Sequence, residues 1–254
     1  MRGLIGKRVL VSGGSSGIGL AAARRFLEEG CRVFVGGLDA AEVRQAVTEL
    51  RPYGEVSGFA ADVSLVEGAN ALVDAAAEAL GCIDVLANNA GIAWREPFLE
   101  ITPEHFDRML AVNLRGMFLV AQAVGRHMIG RGGGAIVNMS STNGIAGEED
   151  YAHYNASKGG VLLLGKTMAV ELGRYGIRVN TLCPGYIRTP LNASIAGAMT
   201  DGEFEASHVA DRIPLGRAGL AEEVAAAYAF LASEDAAFVH GAELVVDGGQ
   251  LAVM

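Results

Sequence analysis

Tyr154 and Lys158 stand four residues apart in the run Tyr154-Asn155-Ala156-Ser157-Lys158, and together they could move a proton. On a helix this spacing puts the phenol and the ammonium on one face, a turn apart. A free tyrosine has a pKa of about 10 and is a poor base at neutral pH, but a neighbouring cation favours its phenolate. Each unit by which the pKa falls is about 1.4 kcal/mol of preference for the charged form. The pair could therefore give or take a proton near pH 7. Alone, the same spacing more often marks an ordinary amphipathic helix, with Tyr on the core face and Lys reaching outward. The rest of the chain decides.

A second stretch, Ser12-Gly13-Gly14-Ser15-Ser16-Gly17-Ile18-Gly19, has the spacing GxxxGxG. Glycines there allow a tight turn and let the backbone approach a pyrophosphate at a helix N-terminus. The spacing is not GxGxxG, so its meaning rests on what precedes and follows it. Arg8 to Ser12 reads as a buried strand before it, and a helix runs from about Gly17 to Glu29 after it. Strands follow at Arg32 to Val35, Val56 to Ala61, Ile83 to Ala87, Ala135 to Met139, Arg178 to Leu182 and Glu243 to Val246. Between them fall helices at Ala40 to Leu50, Leu65 to Leu80, His153 to Tyr175 and Ala221 to Ala232. One more starts at Thr102-Pro103, with Thr as N-cap and Pro in the first turn, and continues with a break to about Ile129. Seven Val/Ile/Leu-rich strands separated by helices imply an α/β fold, a doubly wound parallel sheet covered on both faces. No repeat or linker divides it, so residues 1–254 are read as a single domain. Asn192 to Arg212, interrupted by Gly197 and Gly202, is the candidate substrate lid within about 190–215.

Composition narrows the function. The 254 residues are 51% hydrophobic and 19% charged, which suits strands buried on both faces. A net charge of −9 argues against a nucleic-acid surface. No run approaches the roughly 18 apolar residues of a membrane span, and Met1 to Lys7 carry no secretory pattern. A soluble cytoplasmic protein is expected. Cys31, Cys82 and Cys183 are far apart and read as buried free thiols; neither they nor the five histidines have metal-ligand spacing.

Taken in order, the motifs resemble those of the short-chain dehydrogenase/reductase family, in its single-domain branch, over essentially the whole chain. They are the glycine turn at 12–19 (with Ser12 where Thr is more usual), Asp62-Val63, Asn88-Asn89-Ala90-Gly91, Asn113, Ser141 thirteen residues before Tyr154, Lys158, Pro184-Gly185 with Thr189, and Asp247-Gly248-Gly249. Each falls at the carboxyl end of an expected strand or on the helix after it, where open α/β sheets bind ligands. The resemblance implies a Rossmann-type fold and a hydride transfer in which Tyr154 is the general acid/base. Lys158 lowers its pKa and bonds the nicotinamide ribose, Ser141 holds the substrate oxygen, and Asn113 positions a water in a proton relay. Ser140 is the rival to Ser141, and Tyr151 lacks a lysine four residues on. The implied cofactor contacts are Gly13, Ser15, Ser16, Gly17, Ile18, Gly19, Leu38, Asp39, Asp62, Val63, Asn89, Ala90, Gly91, Tyr154, Lys158, Pro184, Gly185, Ile187 and Thr189. Asp62 is read as an adenine partner or a helix cap, and Thr189 as a partner of the carboxamide or phosphate or a cap of the next segment. Asn88 and Asn89 are read as satisfying backbone groups beside the cofactor.

The family reads the ribose 2′-position at the end of the second strand, where Asp favours NAD and Arg favours NADP. Here Gly37 falls where the Asp often stands, and neither Leu38 nor Ser16 supplies a cation. Asp39 either turns back to the ribose or caps the helix beginning at Ala40. NAD is expected over NADP. Trp94, Arg95, Asn143, Glu148, His153 and Tyr186 are the substrate-side candidates, suiting a sugar, polyol, secondary alcohol or 3-oxoacyl ester. The other reading is a non-catalytic NAD(P)-binding sensor, which would typically lack the Tyr or the Lys. The family also implies a homo-oligomer, often a tetramer packed through its long helices, of which Gly159-Gly160 and Val161 to Leu164 offer an apolar face.

Overall fold

The structure, a computed structural model, describes residues 1–192, 209 and 212–253. Nine strands run in chain order among them: β1 (Arg8–Ser12), β2 (Arg32–Gly37), β3 (Val56–Ala60), β4 (Val85–Asn88), β5 (Gly134–Met139), β6 (Ile177–Pro184), β7 (Ile187–Arg188), β8 (Gly219–Leu220) and β9 (Glu243–Val246). Seven form one parallel sheet in the order β3-β2-β1-β4-β5-β6-β9. The order reverses between β1 and β4, which opens a crevice at their carboxyl ends. The helices are α1 (Gly17–Glu28), α2 (Ala40–Leu50), α3 (Val66–Leu80), α4 (Pro103–Leu110), α5 (Met117–Ile129), α6 (Ala152–Leu172) and α7 (Ala221–Ala232).

Alternation along each strand sends neighbouring side chains to opposite faces. Val9 and Val11 enter one core with Phe26 of α1, Val43 of α2 and Tyr228 of α7. Leu10 and Phe34 enter the other, with Leu72 of α3 and Val124 of α5. Burial of each such side chain contributes about 1.5–3 kcal/mol, which is what drives helices onto both faces. The expected break before Ile129 is a π-helical stretch, Ala111–Gly116, between α4 and α5. Thr102 caps α4 as its sequence predicts, its Oγ1 accepting the His105 N–H at 3.2 Å. The parallel pair β7–β8 was not legible in the sequence; it joins Ile187 to Gly219 and Arg188 to Leu220. The candidate lid at Asn192 to Arg212 lies almost wholly outside the described residues. Among the described residues no helix is long and apolar enough to cross a membrane, and all three cysteines are free and buried.

Candidate active site

The turn between β1 and α1 is shaped by contacts that exclude side chains. Gly13 has φ +71°, and a Cβ there would lie 2.6 Å from the Ala90 Cα. A Cβ on Gly19 would lie 1.9 Å from the Gly13 carbonyl oxygen, which accepts the Asn89 Nδ2–H at 2.9 Å. Gly19 therefore closes the turn from beneath. Ser16, the N-cap of α1, makes no side-chain cap, so the first amides of the helix stay open to a ligand. Asn88 Nδ2 donates to the Met117 carbonyl at 2.9 Å and to Asn138 Oδ1 at 3.2 Å.

A cleft of about 340 Å³ runs from this turn to Tyr154. It is lined by Gly13, Ser15, Ser16, Gly17, Ile18, Leu38, Asp62, Val63, Asn89, Ala90, Gly91, Pro184, Gly185, Ile187 and Thr189, and at its other end by Ser141, Tyr154 and Lys158. Of the expected cofactor contacts, Gly19 and Asp39 are absent from the lining. Asp39 is the N-cap of α2, accepting from the Ala41 N–H at 2.7 Å and the Glu42 N–H at 2.9 Å. The cap reading of Asp39 is the observed one. Asp62 accepts the Ser64 N–H at 2.9 Å and the Ser64 hydroxyl at 2.6 Å, which hold its carboxyl below the usual range, with Arg108 3.8 Å away. It orders the 62–64 turn and does not cap α3, whose N-cap is Leu65. Thr189 faces Gly17 and takes the Asn192 N–H at 3.4 Å.

The two serines part company. The Ser140 hydroxyl donates to the Lys158 carbonyl at 2.9 Å, whereas the Ser141 hydroxyl accepts the Asn143 N–H at 3.2 Å and acts on the Tyr154 phenol, favouring its ionised form. Lys158 Nζ donates to the Met139 carbonyl at 3.0 Å and lies 5.6 Å from the Tyr154 ring centroid. Burial pushes the Tyr154 phenol up to about 12, opposed by the Ser141 bond and reinforced by the Glu148 carboxylate. Burial brings the Lys158 ammonium down to about 8. The expected lowering of the phenol by Lys158 is not what is found here: desolvation dominates and disfavours the charged form of each group. Asn113 sits in the π-helical stretch, fully buried, and does not line the cleft. Its Oδ1 accepts the Ile92 N–H at 2.8 Å and its Nδ2 donates to the Ile92 carbonyl at 2.9 Å. The side chain is committed to the loop after β4, so a water held by Asn113 would have to use its main chain.

Three of the six substrate-side candidates reach the cleft, namely Asn143, Glu148 and Tyr186. Asn143 Nδ2 donates to Glu148 Oε2 at 2.8 Å, fixing that carboxylate. Trp94, Arg95 and His153 do not line it: Trp94 bonds Glu96 at 3.0 Å, Arg95 pairs with Asp150 at 2.8 Å, and His153 is buried against Trp94. Their place in the sequence misled there, because Trp94 and His153 are turned into a cluster with Glu96, and Arg95 towards Asp150. Glu42, Arg108 and Gln250 line the cleft without having been singled out. Gln250 is brought in by Asp247, which accepts the Gly249 and Leu251 N–H groups at 2.8 Å each.

A family model described as enoyl-(acyl carrier protein) reductase matches residues 13–250. D-threitol dehydrogenase of Mycolicibacterium smegmatis is 40% identical over 247 residues, covering 97% of this chain and 93% of its own. The chain belongs to the short-chain dehydrogenase/reductase family. L-rhamnose 1-dehydrogenase (NAD(P)(+)) of Azotobacter vinelandii, 39% identical, covers 97% of each chain. The structure of levodione reductase superposes with a TM-score of 0.92 at 38% identity over 98% of both chains. This short-chain dehydrogenase/reductase is thus an oxidoreductase, and the family implies a nicotinamide cofactor. Its residues fit one: the glycine turn, the uncapped amides of α1 and the Asp62-Val63 wall are where a dinucleotide would be held.

Proposed function

We propose that this protein is an NAD-dependent alcohol dehydrogenase or carbonyl reductase acting on a neutral, hydroxylated substrate, with Tyr154 as general acid/base. The observation that carries the reading is that Ser141 and Lys158 flank Tyr154 at the end of the cleft that the glycine turn opens. A bound nicotinamide supplies or takes the hydride; Tyr154 gives or takes the proton at the substrate oxygen, and Ser141 orients that oxygen. Lys158 holds the nearby ribose and biases the phenol, and Asn113 acts through its main chain on a relay water. The Glu148 carboxylate, held by Asn143 in the cleft, suits hydroxyl donors and opposes anionic substrates. Relatives named for threitol and rhamnose are consistent with a polyol or sugar. The test is a panel of sugars, polyols and ketones with NAD(H) and NADP(H), run beside Tyr154→Phe. Wild-type turnover on at least one alcohol is expected, with loss of about a thousandfold or more in the variant at unchanged cofactor affinity. Equal cofactor binding with no turnover in either protein would favour the sensor reading.

NAD is favoured because the 2′-end of the cleft presents Leu38 and Glu42 and, among the described residues and apart from Arg108 beside Asp62, no cation. An Asp in place of Gly37 would have to displace its neighbours here, since a Cβ added there would lie 2.9 Å from Ser15 Oγ and 2.8 Å from Val43 Cγ2. A 2′-phosphate would meet Glu42 uncompensated. Fluorescence titration should give NADH at least tenfold tighter than NADPH, a difference of about 1.4 kcal/mol; similar affinities would sink the preference. A cytoplasmic homotetramer belongs to the same reading, with Phe118, Leu163 and Val170 as exposed apolar side chains on α5 and α6.

A further inference from the structure

The residue before Tyr154 plays no part in the cleft, yet it is fully buried. His153 lies in the first turn of α6, where backbone N–H groups have no partner within the helix. Its Nδ1 accepts the Tyr154 N–H at 2.9 Å. A ring nitrogen that accepts carries no proton, so the neutral ring has its hydrogen on Nε2. That Nε2 is buried without a hydrogen-bond partner, 3.8 Å from Glu96 Oε2.

Glu96 is the hub of this cluster. It accepts from Trp94 Nε1 at 3.0 Å and meets His105 Nδ1 at 2.9 Å, and the Trp94 ring stands edge-on to both histidines, 5.8 Å from His105 and 5.0 Å from His153. The Glu96 N–H donates to the Asp150 carbonyl at 2.8 Å, and Arg95 pairs with the Asp150 carboxylate. The loop after β4 is thereby fastened to the turn that delivers Tyr154. The groups facing His153 are Glu96 and Trp94 from that loop, His105 from α4, and Tyr151 and Tyr154 from the start of α6. Among the described residues no three side chains converge to hold a metal ion, so the cluster is not a metal site.

We propose that His153 is a positioning residue for Tyr154: its neutral ring holds the Tyr154 backbone amide through Nδ1 while Nε2–H faces Glu96. The inference rests on Tyr154 being the acid/base. Protonation places a hydrogen on Nδ1, so the ring can no longer accept from Tyr154 and turns to the Tyr151 carbonyl, which already takes the Asn155 N–H at 2.7 Å. The new charge also draws Nε2 towards Glu96. Either movement shifts the first turn of α6 and with it the phenol. Burial, opposed by Glu96, keeps the imidazole below its ordinary range, so the positioning form persists into mild acid.

The test has two arms on the full chain. Nitrogen-15 spectra of the histidine rings, with His153→Gln to assign the signal, should show Nδ1 bare and Nε2 protonated at neutral pH, titrating below free histidine. kcat and KM are then followed against pH with cofactor and the best alcohol. Wild-type kcat should fall in acid with the midpoint of the ring titration. His153→Asn, whose amide oxygen accepts without titrating, should keep kcat within about threefold at neutral pH and lose that acid limb. His153→Ala should lower kcat about tenfold with cofactor KM unchanged. A hydrogen on Nδ1 at neutral pH, an acid limb unmoved in His153→Asn, or full kcat in His153→Ala would overturn the proposal. Full activity of Tyr154→Phe would instead remove the acid/base reading, leaving the ring spectrum as it stands.

Discussion

Tyr154 must ionise in a place where burial, reinforced by Glu148 and only partly offset by Ser141, pushes its phenol up to about 12. The ammonium of Lys158 is the only nearby cation on α6, and burial brings it down to about 8. In alcohol oxidation the phenol has to act as a base, so the rate should rise with pH; in ketone reduction it acts as an acid, so the rate should hold or fall. Lys158→Met removes the charge that favours the phenolate, and the oxidation profile should move to higher pH with kcat lowered by at least a hundredfold. Stability runs the other way. A lysine whose folded pKa lies below its unfolded value costs stability below pH 8, and the cost is relieved as pH rises from 8 towards the unfolded 10.5. At pH 7, Lys158→Met should therefore raise the unfolding free energy by about 2–3 kcal/mol at most, since its bond to the Met139 carbonyl is lost as well, and Tm should rise with it. A thermal melt showing a lower Tm at pH 7 would contradict this.

At the scale of elements, the sequence was most legible where local pattern and packing agree. β1, α2, α7 and β9 fall where apolar runs and helical spacing place them, because each is bounded by Gly, a cap or a charged residue and buries one continuous face. What could not be read needed partners distant in sequence. β7 and β8 are two residues each and exist by pairing Ile187 with Gly219. Gln250 reaches the cleft through a turn built by Asp247 after the last strand. His153 was placed by closeness to Tyr154 along the chain and Trp94 by following the fourth-strand motif, but α6 turns His153 away from the phenol's side and into the cluster with Trp94 and Glu96. Asp39 shows how such ambiguity resolves: its carboxylate satisfies two of the open N–H groups of α2, which hold it below its ordinary range. Asp39→Ala should lower Tm by a few degrees through loss of the cap. It should leave the ratio of NADH to NADPH affinities unchanged, and a shifted ratio would return Asp39 to the ribose.

For the whole molecule, the question is what holds the two halves of the sheet and their covering helices in one register. The β1 side is tied by Arg8, whose Nε and Nη2 donate to Asp84 at 2.7 and 2.8 Å, just before β4. Burial alone would raise the Asp84 carboxyl, but the Arg8 side chain and amide outweigh it and hold it below the usual range. The β6 side is tied by Arg178, which has no carboxylate partner among the bonds it makes. Its Nη1 donates to the carbonyls of Leu231 and Ala236 at 2.7 and 3.0 Å, and its Nη2 to those of Ala232 and Ser233 at 3.2 and 3.1 Å. Leu231 and Ala232 are last-turn carbonyls that α7 cannot satisfy itself, Ser233 is its C-cap and Ala236 closes the 3-10 turn that follows, so the cation sits at the pole that the helix dipole favours. A rigid fork with donors on both sides meets all four, which an ammonium could not do from one point. α7 packs on α1 in the same core as Val9 and Val11, so loosening its end loosens the face that backs the glycine turn. Arg178→Met should cost about 3 kcal/mol, since four carbonyls lose a charged donor in a half-buried place. Arg178→Lys should recover less than half of that. Cofactor affinity should weaken in step with stability in both variants while the pH profile of kcat stays fixed, because Arg178 touches no group of the proton path; a displaced profile in a folded Arg178 variant would show that the two ends of β6 are coupled more directly.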